Sequence, residues 1–431
     1  MQIKHLYILA FSLSLFLSCT KEKKSTHKIT NNKDYEQYIT SSNQQLVTEK
    51  KHNLSFWKTK LAKTPNQYPY QSKIAAVTSN LFAVSGNISF LKEAEKNLIA
   101  VNKKNTTAGS LRALARNYIS QHKFQESLIL LKKAELNGQE LNATQKMLFD
   151  VYLELGNYKQ AEKYLSLIKK PNEFDYLIRA SKWNDTNGDL QNAILSLEKA
   201  LKIAESSKNK NLILWSYTNI ADFYGHNNEI EKSYSFYLKA LKIDPNNTYA
   251  KKGIAWIIYS YEKNPKEALR IINSIQKEHS SPDYYLLKAE IAEFMNNLTI
   301  KNENLNLYLL TVKNKLYGDM YNQYNAKLFL EEFDKKDKAL VIIKKEIKNR
   351  PTPQSYDLLA WYYFQNKNYK KALKIVNTNV VGKCYEPEVV YHIAEIYKAN
   401  NLQKEANNLK KELLESSYEL GPMMKKRIYK L

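Results

Sequence analysis

Seven histidines, at positions 5, 27, 52, 122, 226, 279 and 392, are the first candidates for metal or acid–base chemistry, and no two share an HxH or HExxH spacing. A histidine metal site would have to be assembled from residues far apart in the chain, so His226 and His392 read as solvated or packing side chains. The ten glycines never come closer than the eighteen residues from Gly138 to Gly156. That excludes a GxGxxG turn and a GxxxxGKS phosphate loop, and with them nucleotide chemistry of those types. Carboxylates interleave with lysines, as in Glu331-Glu332-Phe333-Asp334-Lys335-Lys336. Such a pattern makes a solvated helix face rather than a glycosidase acid pair. The chain is expected to be a non-enzyme that uses no cofactor and no metal.

Two cysteines remain. The first closes the leader MQIKHLYILAFSLSLFLSC, in which a basic start ending at His5 precedes twelve apolar or Ser residues from Leu6 to Leu17. Twelve residues are too few to span a bilayer. Phe16-Leu17-Ser18-Cys19 resembles a bacterial lipobox, with Phe16 departing from the usual aliphatic residue. The resemblance implies removal of residues 1–18, acylation of Cys19 including palmitate, and a lysine-rich tether over residues 19–33. The composition, rich in Lys, Asn, Tyr and Ile, is like that of Bacteroidetes lipoproteins. Thr20 rather than Asp after the cysteine then implies the outer membrane. Thr20-Lys21-Glu22-Lys23-Lys24 is mostly basic where the surface-export signals of that group are acidic, which implies the periplasm-facing side. With Cys19 taken by lipid, Cys384 has no intramolecular partner, so packing rather than disulfides must hold the fold, and Cys384 reads as an unreactive thiol between repeats.

With 25% charged and 43% hydrophobic residues in a chain of 431, the composition is neither that of a disordered chain nor of a bundle of membrane spans. The elements are helical hairpins. In residues 217–247, Ile220, Ala221 and Tyr224 form one apolar stripe, and Ile230, Ser233, Tyr237, Ala240 and Leu241 form a second. His226 to Glu229 is a tight corner and Asp244-Pro245 a stop. Small residues stand where helix axes approach and tyrosines fill the wider gaps. The pattern resembles the tetratricopeptide repeat (TPR). The small residue of each first helix recurs at Ala115, Phe149, Ser181, Ala221, Ala255, Ala289, Lys327, Ala360 and Ala394, in steps of 34, 32, 40, 34, 34, 38, 33 and 34. Second-helix positions follow at Ser127, Ala161, Ala193, Ser233, Ala268, Ala339, Ala372 and Ala406, after corners such as Gly156-Asn157-Tyr158. Residues 204–211 absorb the long step. Residues 296–315 lose the small residues and read as a distorted repeat or a joint.

The expected fold is all-α, a right-handed α-solenoid of about nine to ten TPR-like hairpins over residues 71–416. A capping helix precedes it at residues 34–70, whose last residues from Asn66 form a loop, and residues 417–431 form a C-terminal cap broken at Gly421-Pro422. Stretches such as RALARNYISQ and WSYTNIADFYGH are similar to an uncharacterised family of flavobacterial TPR lipoproteins.

In a TPR solenoid the first helices line the concave face. The resemblance therefore implies a partner-binding groove among Arg112, Arg116, Lys146, Asp150, Lys182, Asp222, Lys252, Trp256, Tyr259, Tyr324, Trp361, Tyr391 and Glu395. Trp256 and Trp361 share a repeat position, after Ala255 and Ala360, and either anchor a ligand or pack between neighbouring helices. Most of the thirty-two tyrosines fit packing positions. A net charge of +23, or +22 without residues 1–18, points to an anionic membrane surface, cell-wall polymer or acidic protein, and not to nucleic acid, for which no module is present. The reading that results is a membrane-anchored, non-catalytic scaffold holding a protein partner in a cell-envelope complex; the alternative is a lipoprotein that binds glycan or cell wall.

Overall fold

The computed structural model describes residues 28–431, so the expectations for the leader, for acylated Cys19 and for the tether as far as His27 lie outside the described residues. Over that span the chain is helical, with no strand among the described residues and no helix long and apolar enough to cross a membrane.

Two helices precede the repeats, α1 (Asn32–Ile39) and α2 (Gln44–Lys63). Ten hairpins follow in chain order. They are α3 (Tyr68–Ser85) with α4 (Ile88–Lys104), α5 (Ala108–Ser120) with α6 (Phe124–Asn137), α7 (Leu141–Glu154) with α8 (Tyr158–Leu167), α9 (Phe174–Thr186) with α10 (Leu190–Ser207), and α11 (Lys210–His226) with α12 (Ile230–Ile243). The second five are α13 (Thr248–Trp256) with α14 (Pro265–Glu278), α15 (Asp283–Phe294) with α16 (Leu298–Val312), α17 (Asn322–Glu331) with α18 (Lys336–Asn349), α19 (Pro353–Gln365) with α20 (Tyr369–Asn379), and α21 (Pro387–Ala399) with α22 (Gln403–Glu415). Helix α23 (Ser417–Ile428) ends the chain. The architecture is a right-handed α-solenoid of TPR-like hairpins.

Every hairpin turns through one residue with positive φ: Gly86, His122, Gly156, Gly188, Asn228, Lys263, Asn296, Asp334, Lys367 and Asn401. A left-handed residue is the shortest way to reverse a helix and satisfy its last carbonyls. In five hairpins the next residue, Asn157, Asp189, Asn264, Asn297 or Asn368, caps the second helix by accepting from a backbone N–H three positions on. The polar corners in the sequence are the chemical form of this turn.

Small residues bring the two helices of a hairpin together. Ala115, Ala161, Ala193, Ala221, Ala360 and Ala394 have no exposed surface. At two positions where serine replaces alanine, the hydroxyl donates across the pair: Ser127 Oγ to Ala115 O at 3.2 Å and Ser181 Oγ to Ala193 O at 2.8 Å. The bond satisfies a buried donor without widening the helix pair.

Four sequence expectations are corrected. The buried small residue of α17 is Ala326, not Lys327, whose side chain faces the inner wall. Residues 296–315 are an ordinary second helix, α16, closed by buried Tyr308 in place of a small residue. The helix expected from Asp34 to Lys63 breaks after Ile39, and the loop expected over residues 66–70 already contains the start of α3 at Tyr68.

The break frees α1 to cross the molecule. Tyr35, Tyr38 and Ile39 are buried in the cluster formed by α12 to α15, and Tyr35 Oη donates to Glu267 at 2.8 Å. Glu36 pairs with Arg270 at 2.5 Å, and the Ile29 and Thr30 amides donate to Glu262 at 2.8 and 2.6 Å. Burial of three such side chains contributes on the order of 1.5–3 kcal/mol each, enough to dock a helix too short to be stable alone.

The solenoid also closes on itself. Corners of the first five hairpins meet connections about one superhelical turn later. Ser280 N donates to Ser85 O at 2.7 Å; Arg350 bonds Glu154, 196 residues away, through Nε to its backbone oxygen at 3.2 Å and through Nη2 to its carboxylate at 3.0 Å. Asn228 Nδ2 donates to Glu415 O, 187 residues away, at 2.7 Å. Ile88 and Leu91 pack on Tyr317 in the same seam. Successive turns therefore touch, and the inner wall surrounds a confined space rather than an open trough.

Candidate functional site

First helices of neighbouring hairpins line the inner wall, and in the N-terminal half their charged side chains brace one another. Lys146 reaches Asp175 at 2.6 Å, Arg179 reaches Asp150 at 2.7 Å and Lys182 reaches Glu154 at 2.8 Å. Arg112 is buried, donating to Gln139 O at 2.9 Å and Thr144 Oγ1 at 3.1 Å and pairing with Glu140. These contacts position helices; among the early candidates Arg116 and Lys182 are exposed.

In the C-terminal half α23 lies along the wall. Its Tyr418 packs against Gly225 of α11, and Ser260 Oγ donates to Tyr418 O at 2.6 Å. Ile428 and Leu431 are buried among side chains of α17 to α22. Gly421, at φ 77°, breaks the helix as expected and lays backbone against Trp256 and Glu290; a Cβ there would come within 3.0 Å of the indole and 2.9 Å of Glu290 Oε1. Beside α23 a cavity of about 690 Å³ stays open between α11, α13, α15, α17 and α21. Asp222, Lys252, Trp256 and Tyr324 line it, with an apolar floor from Leu286, Leu287, Leu305, Met423 and Met424.

Trp256 is half-buried at this cavity and Tyr324 is 51% exposed. Trp361 is buried instead: its ring stacks on His392 with centroids 4.0 Å apart, and its Nε1 donates to Glu331 at 2.9 Å. Tyr391 is buried and donates to half-buried Glu395 at 2.9 Å. Tyr259 is wholly buried, within the π-helical turn Ile257–Tyr261. Its ring packs edge-on against Trp256 with centroids 5.7 Å apart, and its hydroxyl donates to Glu290 at 3.1 Å. Arg112, Tyr259, Trp361 and Tyr391 are thus packing residues, and the groove expectation for them is corrected.

The residues overlooked in the sequence follow a rule that was available. Asp222 and Trp256 stand one position past the small residue of a first helix; Glu290 follows Ala289 in the same way, and Lys327 follows Ala326. Burial pushes the Glu290 carboxyl up to about 7 against the opposing hydrogen bond from Tyr259. Burial would lower Lys327, but Glu388 and then Glu331 outweigh it and hold the ammonium above its usual range. Burial also raises Asp222 and Glu386.

A second cavity of about 280 Å³ opens at the seam near His122 and Lys345. Most of its cations are answered by carboxylates, among them Lys123 by Glu95 at 3.0 Å, Lys345 by Asp319 at 2.5 Å and Arg350 by Glu154 at 3.0 Å. No group of side chains able to hold a metal ion occurs among the described residues. Cys384 is buried in the connection between α20 and α21, and burial pushes its thiol up to about 12.

A stack of helical hairpins around such an inner wall is the build of a protein-interaction scaffold. Residues 216–247 match the tetratricopeptide repeat, the stretch in which the sequence pattern is fullest. The fold is similar to PilW, a widely conserved type IV pilus biogenesis factor, at 14% identity over 49% of this chain and 96% of that one, with a TM-score of 0.39. A tetratricopeptide repeat protein from Parabacteroides merdae matches at 16% identity over 58% and 97% of the two chains, with a TM-score of 0.38. Yeast Tom70 matches at 15% identity over 93% and 94%, with a TM-score of 0.35. No curated protein matches the chain.

Proposed function

We propose that the chain is a lipid-anchored, non-catalytic scaffold of the cell envelope that holds a segment of a protein partner on its inner wall. The observation carrying this reading is the cavity beside α23. Elsewhere the wall is closed by ion-pair braces or by α23, whereas here Trp256 and Tyr324 flank an apolar floor rimmed by charge. An apolar seat with a few oriented polar groups is what a helix or extended segment needs from a groove.

The anchor fits the docking of α1. Residues 20–27 can separate Cys19 from Lys28 by at most about 30 Å even when fully extended. An acylated Cys19 would then hold the second-helix side of α12 and α14 near the bilayer, leaving the inner wall to the partner.

Cys19→Ala is expected to move the chain from the membrane pellet to the soluble fraction; unchanged pelleting overturns the anchor. For the partner, a photo-crosslinking amino acid in place of Tyr324 should give a discrete protein adduct in intact cells. The same group in place of Ile129, exposed on α6, should not. Adducts with polysaccharide alone, or identical adducts from both sites, would overturn the protein-partner reading, the former in favour of glycan binding.

A further inference from the structure

The chain is strongly basic, at +23, yet the cavity beside α23 is acidic, with nine carboxylates and four cations in its lining. Most of those acids are answered locally: Glu332 by Lys301 at 2.8 Å, Glu388 by Lys327, and Glu331 by Arg427 at 3.5 Å. Asp283 and Glu386 have no cation within ion-pair distance, but each stands at the start of a helix, α15 and α21, where the helix dipole favours negative charge. Asp222 and Glu290 have neither form of support: each lies within a helix, α11 and α15, with no cation in ion-pair distance. Asp222 accepts from two tyrosine hydroxyls, those of Tyr237 and Tyr249. Glu290 accepts from Tyr259 alone, and Lys327 acts on it only at longer range. A half-buried carboxylate with no ion-pair partner costs stability in the empty protein, which a cationic ligand would return.

The chain itself supplies an example of what the wall accepts. Helix α23 sets Met423 and Met424 against the apolar floor and places Arg427 at Glu331, while Lys426 Nζ lies 5.0 Å from the centre of the Phe294 ring. An apolar and basic helix therefore already occupies one side of the space. The π-helical turn at Ile257–Tyr261 is a second local departure at this spot, and it contains Tyr259, which donates to Glu290.

We propose that the partner segment held by this wall carries a lysine or arginine and seats that cation against Glu290, in the cavity left open beside α23. The inference rests on the scaffold reading above and adds the chemistry of the occupant. Recognition would combine burial of an apolar helix face on Leu286, Leu287 and Leu305 with one charge-assisted bond in a shielded site, so binding should weaken as salt rises.

The test uses the detergent-solubilised full chain and two fluorescein-labelled amphipathic peptides, one built of Leu, Ala and Lys, the other with Glu at every Lys position. The Lys peptide should bind at least tenfold more tightly than the Glu peptide. Glu290→Gln should weaken the Lys peptide at least fivefold and flatten its salt dependence. Because Gln removes a half-buried charge with no ion-pair partner, the variant should unfold at the same temperature or higher at pH 8, so a loss of binding is not a loss of fold. Equal affinity for the two peptides, or unchanged affinity in Glu290→Gln, overturns the proposal. The Tyr324 crosslink separates the two readings: an adduct equally strong in wild type and Glu290→Gln keeps the protein partner and removes the cation, whereas no protein adduct in wild type removes the partner itself.

Discussion

His392→Ala should lower the unfolding free energy by about 3–5 kcal/mol, the cost of breaking a buried charged pair together with the loss of a packed ring. His392 and Asp357 are each 3% exposed, Nδ1 lies 2.7 Å from Oδ2, and the imidazole stacks on Trp361. Asp357 Oδ1 already lacks a hydrogen-bond partner, so removing the ring leaves both carboxylate oxygens buried and unanswered. Burial alone would lower His392, but the Asp357 carboxylate outweighs it and raises the imidazole above its usual range; burial raises Asp357 as well. Both shifts mean that the folded chain binds protons more tightly than the unfolded chain. The stabilisation from His392 is complete below its unfolded pKa of about 6.5 and is lost as pH rises through the higher folded value. Urea unfolding followed by tryptophan fluorescence should show this contribution at pH 6 and its decline by pH 8.5. Asp357→Asn, which can keep a neutral hydrogen bond to the ring, should cost less than His392→Ala and should flatten the pH dependence. A His392→Ala midpoint equal to wild type at pH 6 would show that the pair contributes nothing to stability.

Gly86→Ala should open the superhelical seam and destabilise the chain by about 2–5 kcal/mol, combining left-handed strain with overpacking. Gly86 has φ 67°, and a Cβ there would lie 2.2 Å from Ser280 O and 2.7 Å from the His279 ring. The first of these is backbone and cannot swing aside, so relief requires the corner of α3 and α4 to leave the connection between α14 and α15. The bond from Ser280 N to Ser85 O goes with it. Gly138→Ala is the matched control: its φ is 76°, yet nothing lies within 4 Å of the added Cβ, so it carries the strain without the clash. X-ray scattering should report a larger radius of gyration for Gly86→Ala than for Gly138→Ala, and urea midpoints should fall further. Equal behaviour of the two variants would show that the contact between turns does not hold the superhelix closed.

Much of the molecule is written locally. The ten corners carry a residue able to adopt positive φ or forced to adopt it, followed in six of them by an Asn or Asp cap. The spacing of Ala221, Ala255 and Ala289 keeps the period because each hairpin packs on its neighbour through the same face. Lys327 lies one position past the buried small residue, Ala326, and a single residue has no period of its own to tell the two apart. The π-helical turn at Ile257–Tyr261 has no comparable signature, since Ile257, Ile258 and Tyr259 suit an α-helix as well.

Trp256 and Trp361 mark the boundary between the two kinds of information. Both follow the small residue of a first helix, and by sequence they are equivalent. Trp361 is buried because the next first helix places His392 under its ring; Trp256 is left at the cavity because its outer neighbour is Gly421 of α23, which has no side chain to cover it. Sequence alone determined the helices, their corners, their pairing and their order, since each depends on residues within one repeat of each other. Tertiary structure decided the closure of the superhelix, the crossing of α1 to α14 and the seating of α23 on the inner wall. Those features join residues about two hundred positions apart, and their meeting depends on many small rotations between repeats, none of which is legible in a single hairpin.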